Sequence, residues 1–161
     1  MRVAPIGLYF VNIDIDEICL YGAKNAVLTH GHDLGYIPAA ALVYIINRII
    51  YDDYGIPLEK IVTDCINKIE LIFNDKPHIN DFIEIIEKSV KTAKLNLNDA
   101  ETITELGEGW VAEETLAIAI YCSLKYHDNF EKAIIASVNH NGDSDSTGSV
   151  TGNIMGGYTW L

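Results

Sequence analysis

An all-α fold in one domain, spanning residues 1–161, is what this sequence predicts, and three observations carry the prediction. Apolar residues recur at helical spacing along nearly the whole chain, and the longest alternating stretch is only IGLYFVNI. The segments join through short polar loops of roughly four to eight residues, the range for packed helices. Nearly half of the residues are apolar (49%), enough for a core at this length, and no internal repeat or low-complexity linker divides the chain.

The elements follow in order. Asp14 or Asp16 caps a helix that turns Ile18, Cys19, Ala23, Ala26 and Val27 inward and ends at THGHDLG. A second helix runs from about Pro38 to Tyr51 and stops at DDYG. Pro57 suits the first turn of a third, LEKIVTDCINKIELIF. Asn80 or Asp81 precedes a fourth, FIEIIEKSVKTAK. NLNDAETITELGEG connects it to a fifth, WVAEETLAIAIYCSLKY, which FEKAIIASVNH follows.

Composition narrows the function. A formal charge of −12 without a basic stripe argues against a nucleic-acid backbone as partner, though backbone N–H groups can still hold a small anion. No apolar run reaches the ~18 residues of a membrane span, since Asn47 and Arg48 interrupt AAALVYIINRII. The N-terminal MRVAPIGLYF lacks the length and cleavage site of a signal peptide. Cys19, Cys65 and Cys122 are scattered without CxxC spacing, which indicates neither a zinc knuckle nor a disulfide framework. A reduced, cytoplasmic compartment is expected.

The stretch HNGDSDSTGSVTGNIMGG, residues 140–157, carries the chemistry. Asp143 and Asp145 sit two apart among hydroxyls and glycines, and four readings compete. Asp, Ser and Thr favour helix starts, so SDST opens a final helix with no further role. A calcium loop fails at its twelfth position, which is Ile154 rather than Glu. A DxDxT phosphatase loop needs a strand before the first Asp, where this chain has the loop residues NHNG. A hard-cation site works if Asp143 lies in the loop and Asp145 opens the helix, because two residues i and i+2 on one helix are about 200° apart. Gly142 then allows the tight turn, and oxygen-only donors suit Mg²⁺, Mn²⁺ or Ca²⁺. Ser149, Gly152, Gly156 and Gly157 let that helix approach a neighbour or a ligand closely.

VNHNGDSDSTGSVTGNIMGG resembles the GGDxDTxG…G motif near the C-terminal end of the ADP-ribosylglycohydrolases, the family of dinitrogenase reductase-activating glycohydrolase. MRVAPIGLYF, LTHGHDLGYIPAAAL and GEGWVAEETLAIAIYC support the resemblance in the expected order, so it covers essentially the whole chain. It implies a compact orthogonal helical domain and a hydrolase that cleaves the bond joining ADP-ribose to an acceptor. It also implies two divalent cations, Mg²⁺ or Mn²⁺, with Asp143, Asp145 and Ser146 as metal ligands and the two aspartates as catalytic residues. Ser146 stands where the family has Thr, and Asn141 replaces the first motif Gly, which requires backbone angles that a non-glycine residue accepts. The metals would hold ribose hydroxyls and polarise a water for attack at the anomeric carbon.

For substrate binding the resemblance points to His30, Gly142 and Trp110. His30 sits where the family's histidine approaches the ligand, or else caps a helix C-terminus. Trp110, in a glycine-bounded turn, stacks on adenine or anchors the core. His32 lacks such support, His78 and His127 read as surface residues, and His140 either supports the motif from behind or is solvated.

The family's usual chain is roughly twice this length, and its other metal ligands lie in an N-terminal Thr-Asp-Asp-Thr stretch that does not occur here. Neither YDDYG (51–55) nor VTDC (62–65) takes over that role. The family's glycine-rich diphosphate loop should lie just before Met1, and related chains continue beyond GNIMGGYTWL. The chain therefore reads as a catalytic half, truncated at both ends. The expectation is exposed apolar surface, with self-association or a partner supplying the missing half.

Overall fold

The computed structural model describes residues 2–52 and 55–160. Among the described residues the periodicity resolves into nine helices and no strand, which bears out the all-α prediction. They are α1 (Ala4–Tyr9), α2 (Ile15–Val27), α3 (Asp33–Tyr51), α4 (Leu58–Ile72), α5 (Ile79–Ala93), α6 (Asp99–Leu106), α7 (Ala112–Lys125), α8 (Phe130–Val138) and α9 (Ser144–Trp160).

Two helices organise the rest. α3 is buried from Ala40 to Asn47 and packs against α1, α2, α4, α5, α7 and α9. By length and composition it also qualifies as a membrane span, which the interrupted apolar run had hidden. In this fold its apolar surface is occupied by neighbouring helices. The two polar residues that interrupt the apolar run are both engaged: the Asn47 amide donates to the carbonyls of Gly7 and Phe10 at 3.0 Å, and Arg48 pairs with Asp52 at 2.8 Å. α7 is buried from Thr115 to Ser123 and packs against α3, α5, α8 and α9. A smaller core joins Ile103 and Leu106 of α6 to Ile118, Tyr121 and Cys122 of α7 and to Ala136 of α8.

Several boundaries differ from the expectation, each for a local reason. IGLYFVNI is not extended; its first half forms α1, with Pro5 in the opening turn. The second expected helix begins at Asp33, not Pro38. The His32 Nδ1 accepts the Leu34 N–H at 3.2 Å and starts the helix, which then tolerates Pro38 in its second turn. Its expected stop at DDYG falls partly on Asp53 and Tyr54, outside the described residues. Val27 is 47% exposed rather than inward, because α2 ends there. Asp14, not Asp16, caps α2. The connecting segment NLNDAETITELGEG contains α6, capped by the Asn98 side chain on the Glu101 N–H, an Asn-x-x-Glu signal present in the sequence.

Beside α6 lies a saturated polar cluster. Lys125 donates to Asp99 (2.7 Å), Tyr121 (2.9 Å) and the Leu97 carbonyl (2.6 Å), while Tyr121 and Tyr126 donate to the two Asp99 oxygens at 2.6 and 2.7 Å. Burial works to raise the Asp99 carboxyl, but Lys125 and the two phenols outweigh it and hold the group below its ordinary value.

Candidate functional site

The motif sits where α8 ends and α9 begins, and its shape is set by hydrogen bonds within the loop. Gly142 N–H donates to His140 Nδ1 at 3.1 Å, which leaves the imidazole proton on Nε2. That nitrogen reaches the Ser137 carbonyl (3.1 Å) and the Thr147 hydroxyl (2.9 Å), and Thr147 in turn donates to Ser137 O at 2.7 Å. His140 therefore supports the motif from behind and is not merely solvated. Asn141 does not have positive φ, so the non-glycine residue sits without strain.

A second loop, Gly107–Val111, is pressed against the motif. Asp143 N–H donates to the Glu108 carbonyl at 2.7 Å, and a Cβ on Gly142 would lie 1.7 Å from that same oxygen. Only glycine fits there. Glu114 fixes the loop from the other side, its carboxylate accepting the N–H groups of Glu108 and Gly109 at 3.1 Å each. The Thr115 hydroxyl donates to the Gly109 carbonyl at 2.8 Å, and Gly109 takes φ 79°, a conformation that favours glycine.

This clamp sets the two aspartates on either side of the helix start. Asp143 lies in the loop, its carbonyl accepting the Thr147 N–H at 3.1 Å, and Asp145 is in the first turn of α9. Their carboxyls face one another. The neighbouring Asp145 and the Ser146 hydroxyl hold Asp143 below its ordinary value, whereas the hydrogen bond and charge of Asp143 push the exposed Asp145 above its own. The polar atoms that these three side chains offer are all oxygens. Among the described residues no cluster of three or more His, Cys, Asp or Glu side chains could hold a metal ion.

Asp143 and Ser146 open onto a cavity of about 650 Å³. His30 and Trp110 line the same cavity, as do the apolar Leu34, Pro38, Leu116 and Val150. Gly142 and Asp145 do not line it: Gly142 packs under the loop, and Asp145 is on the outer side of the helix start. Trp110 is 68% exposed, which rules out the core-anchor reading; its indole N–H donates to Glu108 at 3.2 Å.

His30 is held by its neighbour. The Thr29 hydroxyl lies 2.7 Å from His30 Nδ1 and receives a hydrogen bond from Arg2, which also reaches the Asn25 carbonyl at 3.4 Å. Nearby, the His32 ring packs tilted against His78 with centroids 4.6 Å apart, and His78 contacts Asp81 at 2.9 Å. Arg2 and Glu113 also line the cavity, and both were missed from the sequence. Arg2 sits at the head of the chain with nothing around it to mark it. Glu113 and Glu114 read as ordinary acids of a helix first turn.

The family model described as ADP-ribosylglycohydrolase matches residues 1–159. The chain is similar to the ADP-ribosylhydrolase ARH3 of Bos taurus at 23% identity, over 98% of this chain and 48% of that protein. To ARH3 of Homo sapiens it is 24% identical over the same shares, and to that of Mus musculus 24% over 98% and 47%. No solved structure matches. The chain spans about half the length of the curated relatives it matches. With the family model covering nearly all of it, and with the loop clamp and glycine of the motif in place, the chain belongs to the ADP-ribosylglycohydrolase family.

Proposed function

We propose that this chain serves in hydrolysing the glycosidic bond between ADP-ribose and an acceptor, either a protein side chain or a small molecule. The observation that carries the proposal is the meeting of Asp143, Ser146, His30 and Trp110 on one cavity of about 650 Å³, a size that suits a nucleotide. Asp143, Asp145 and Ser146 are the residues that would hold Mg²⁺ or Mn²⁺. When bound, such an ion supplies Lewis acidity toward ribose and water oxygens.

The chain's own residues do the rest. The exposed Trp110 indole offers a face for a base, and its N–H bond to Glu108 limits its rotation. Leu34, Leu116 and Val150 form an apolar wall that keeps water from the ligand. The Gly142–Glu108 contact fixes Asp143 at the cavity edge before any ligand arrives.

The metal shell is completed from outside the described residues, by a second copy or a partner chain. Exposed apolar side chains on α1, on α2 and its C-cap and in the segment between the two helices, among them Leu8, Tyr9, Val11, Leu20 and Leu28, offer a surface for it. The three free, buried thiols agree with a reducing, cytoplasmic setting. A second reading, a module that binds ADP-ribose without turning it over, is favoured by the two-carboxylate donor set. The phosphatase reading loses its support, since helix α8 and a loop precede Asp143 where a strand is required.

Calorimetric titration of ADP-ribose with and without Mg²⁺ is the test. Mg²⁺-dependent binding that Asp143→Ala abolishes is expected, with release of ADP-ribose from a modified substrate. Binding without turnover selects the second reading, and no binding under either condition sinks both.

A further inference from the structure

Asn141 stands in the place of a motif glycine, and it is the one asparagine in the sequence that a glycine follows. That dipeptide is chemically labile. The nitrogen of Gly142 can close a five-membered ring on the side-chain carbonyl carbon of Asn141, and glycine has no side chain to hinder the closure. An amide nitrogen is nonetheless a poor nucleophile, because resonance with its carbonyl occupies the lone pair. Closure needs a base for the N–H proton, an unengaged asparagine side chain and access to water.

The loop supplies all three. Asn141 is exposed, and no hydrogen bond among the described residues engages its side chain. The Gly142 N–H points at His140 Nδ1 at 3.1 Å, within the reach of a general base. Behind the ring, Nε2 lies 3.1 Å from the carbonyl of buried Ser137 and 2.9 Å from the hydroxyl of buried Thr147. Those acceptors keep the lone pair on Nδ1 and stabilise the imidazolium that forms when Nδ1 takes a proton. Nucleophile, base and orienting group therefore stand in the order of an activated nucleophile. The loop's shape alone does not call for a base here, since an asparagine at 140 would accept the same N–H two residues on.

We propose that Asn141–Gly142 is a modification site, at which the chain deamidates itself with His140 as the base. Nδ1 of His140 takes the Gly142 proton as the Gly142 nitrogen bonds to the side-chain carbon of Asn141. The bond from that carbon to Nδ2 then breaks, and the imidazolium gives its proton to the departing ammonia. Solvent water opens the cyclic imide at either carbonyl, leaving aspartate or isoaspartate at 141. Both products add a carboxylate beside Asp143 and Asp145. Isoaspartate also adds a main-chain atom next to Gly142, where a Cβ would already lie 1.7 Å from the Glu108 carbonyl, and so undoes the clamp.

The test is peptide mass mapping of the purified chain during incubation at neutral pH, with isoaspartyl methyltransferase labelling to count the rearranged product. Asn141 should convert ahead of every other asparagine. His140→Asn keeps an acceptor for the Gly142 N–H but has no basic nitrogen, and it should slow conversion about tenfold. Asn141→Gln, which would need a six-membered ring, should show none at this position; melting temperatures establish that both variants fold. Without any substitution, the folded chain should convert faster than the same chain in urea, where the imidazole is not held against the amide. An Asn141 that keeps its amide while other asparagines convert overturns the proposal. So does an equal or faster rate in His140→Asn or in urea, which would make His140 a shield of the amide rather than its base.

Discussion

The two ends of α7 treat the same chemical group in opposite ways. At the C-terminal end, Asp99 is surrounded by donors: Lys125, Tyr121 and Tyr126 satisfy both oxygens within 2.7 Å. At the N-terminal end, Glu113 opens onto a cavity with no ion pair among the described residues, and Asp143, across the loop, faces another carboxylate. A saturated carboxylate joins helices and adds nothing to recognition. An unsaturated one costs stability and becomes useful only when a ligand arrives. The N-terminal end nevertheless stays ordered because Glu114 and Gly142 hold its loops through backbone contacts, so the cavity-lining side chains need not contribute to folding.

The largest disruption should come from the N-terminal end's backbone. An alanine methyl at position 142 would meet the Glu108 carbonyl at 1.7 Å, and neither backbone can yield without breaking the 2.7 Å bond from Asp143. Gly142→Ala should cost about 3 kcal/mol in urea denaturation and remove ADP-ribose binding as well. Full stability in this variant would mean that the two loops are not clamped together.

At the C-terminal end the expected loss is smaller and confined to stability. Asp99→Ala leaves Lys125 with its ammonium partly buried and unpaired, for about 2 kcal/mol, with ADP-ribose binding intact. The pH dependence follows from the same contacts. The folded-state carboxyl lies below its ordinary 3.8, so its stabilisation is complete above the unfolded value and disappears as pH falls through the folded one. Melting temperature should therefore fall more steeply below about pH 4 in the wild type than in Asp99→Asn. On the alkaline side Lys125 is raised above 10.5 and Tyr121 from 10.0 to about 12, so the unfolded chain releases those protons first and stability drops as pH rises past them. Parallel melting curves for the two proteins would show that the cluster does not couple to folding.

The contrast between the two ends also explains what could be read from the sequence. Helices with long apolar faces, such as α3 and α7, are visible in periodicity alone, because burial dictates the pattern. The motif loop was legible because its backbone demands a glycine at 142 and an Asp on each side of the helix boundary. α6 was not, since it buries only Thr102, Ile103 and Leu106 and is otherwise polar. Arg2 and Glu113 were not legible either. Their roles depend on which distant segments share the cavity, and no local pattern encodes that. Trp110 was left open between stacking and core anchoring for the same reason: a large aromatic is usually buried, and only the fold reveals the cavity beside it.

The smallest expected effect sharpens the comparison at the cavity's far rim. Thr29 lies between Arg2 and His30, and its hydroxyl has one proton to give. Because Arg2 donates to the oxygen, that proton goes either to His30 Nδ1 at 2.7 Å or to the Ala26 carbonyl at 3.5 Å, and the shorter contact wins. His30 then carries its own proton on Nε2, as a donor suited to an anionic ligand. Thr29→Val removes the relay without creating a cavity, so stability should change by no more than about 0.5 kcal/mol while ADP-ribose affinity falls about threefold. Thr29→Ser should bind like the wild type. Imidazole ¹⁵N shifts read the tautomer directly: an Nε2–H form in the wild type that Thr29→Val converts to a mixture supports the relay. An Nδ1–H form in the wild type would mean that His30 donates to Thr29 and offers the cavity a lone pair, and this rim would then belong with the carboxylates as a surface awaiting a donor.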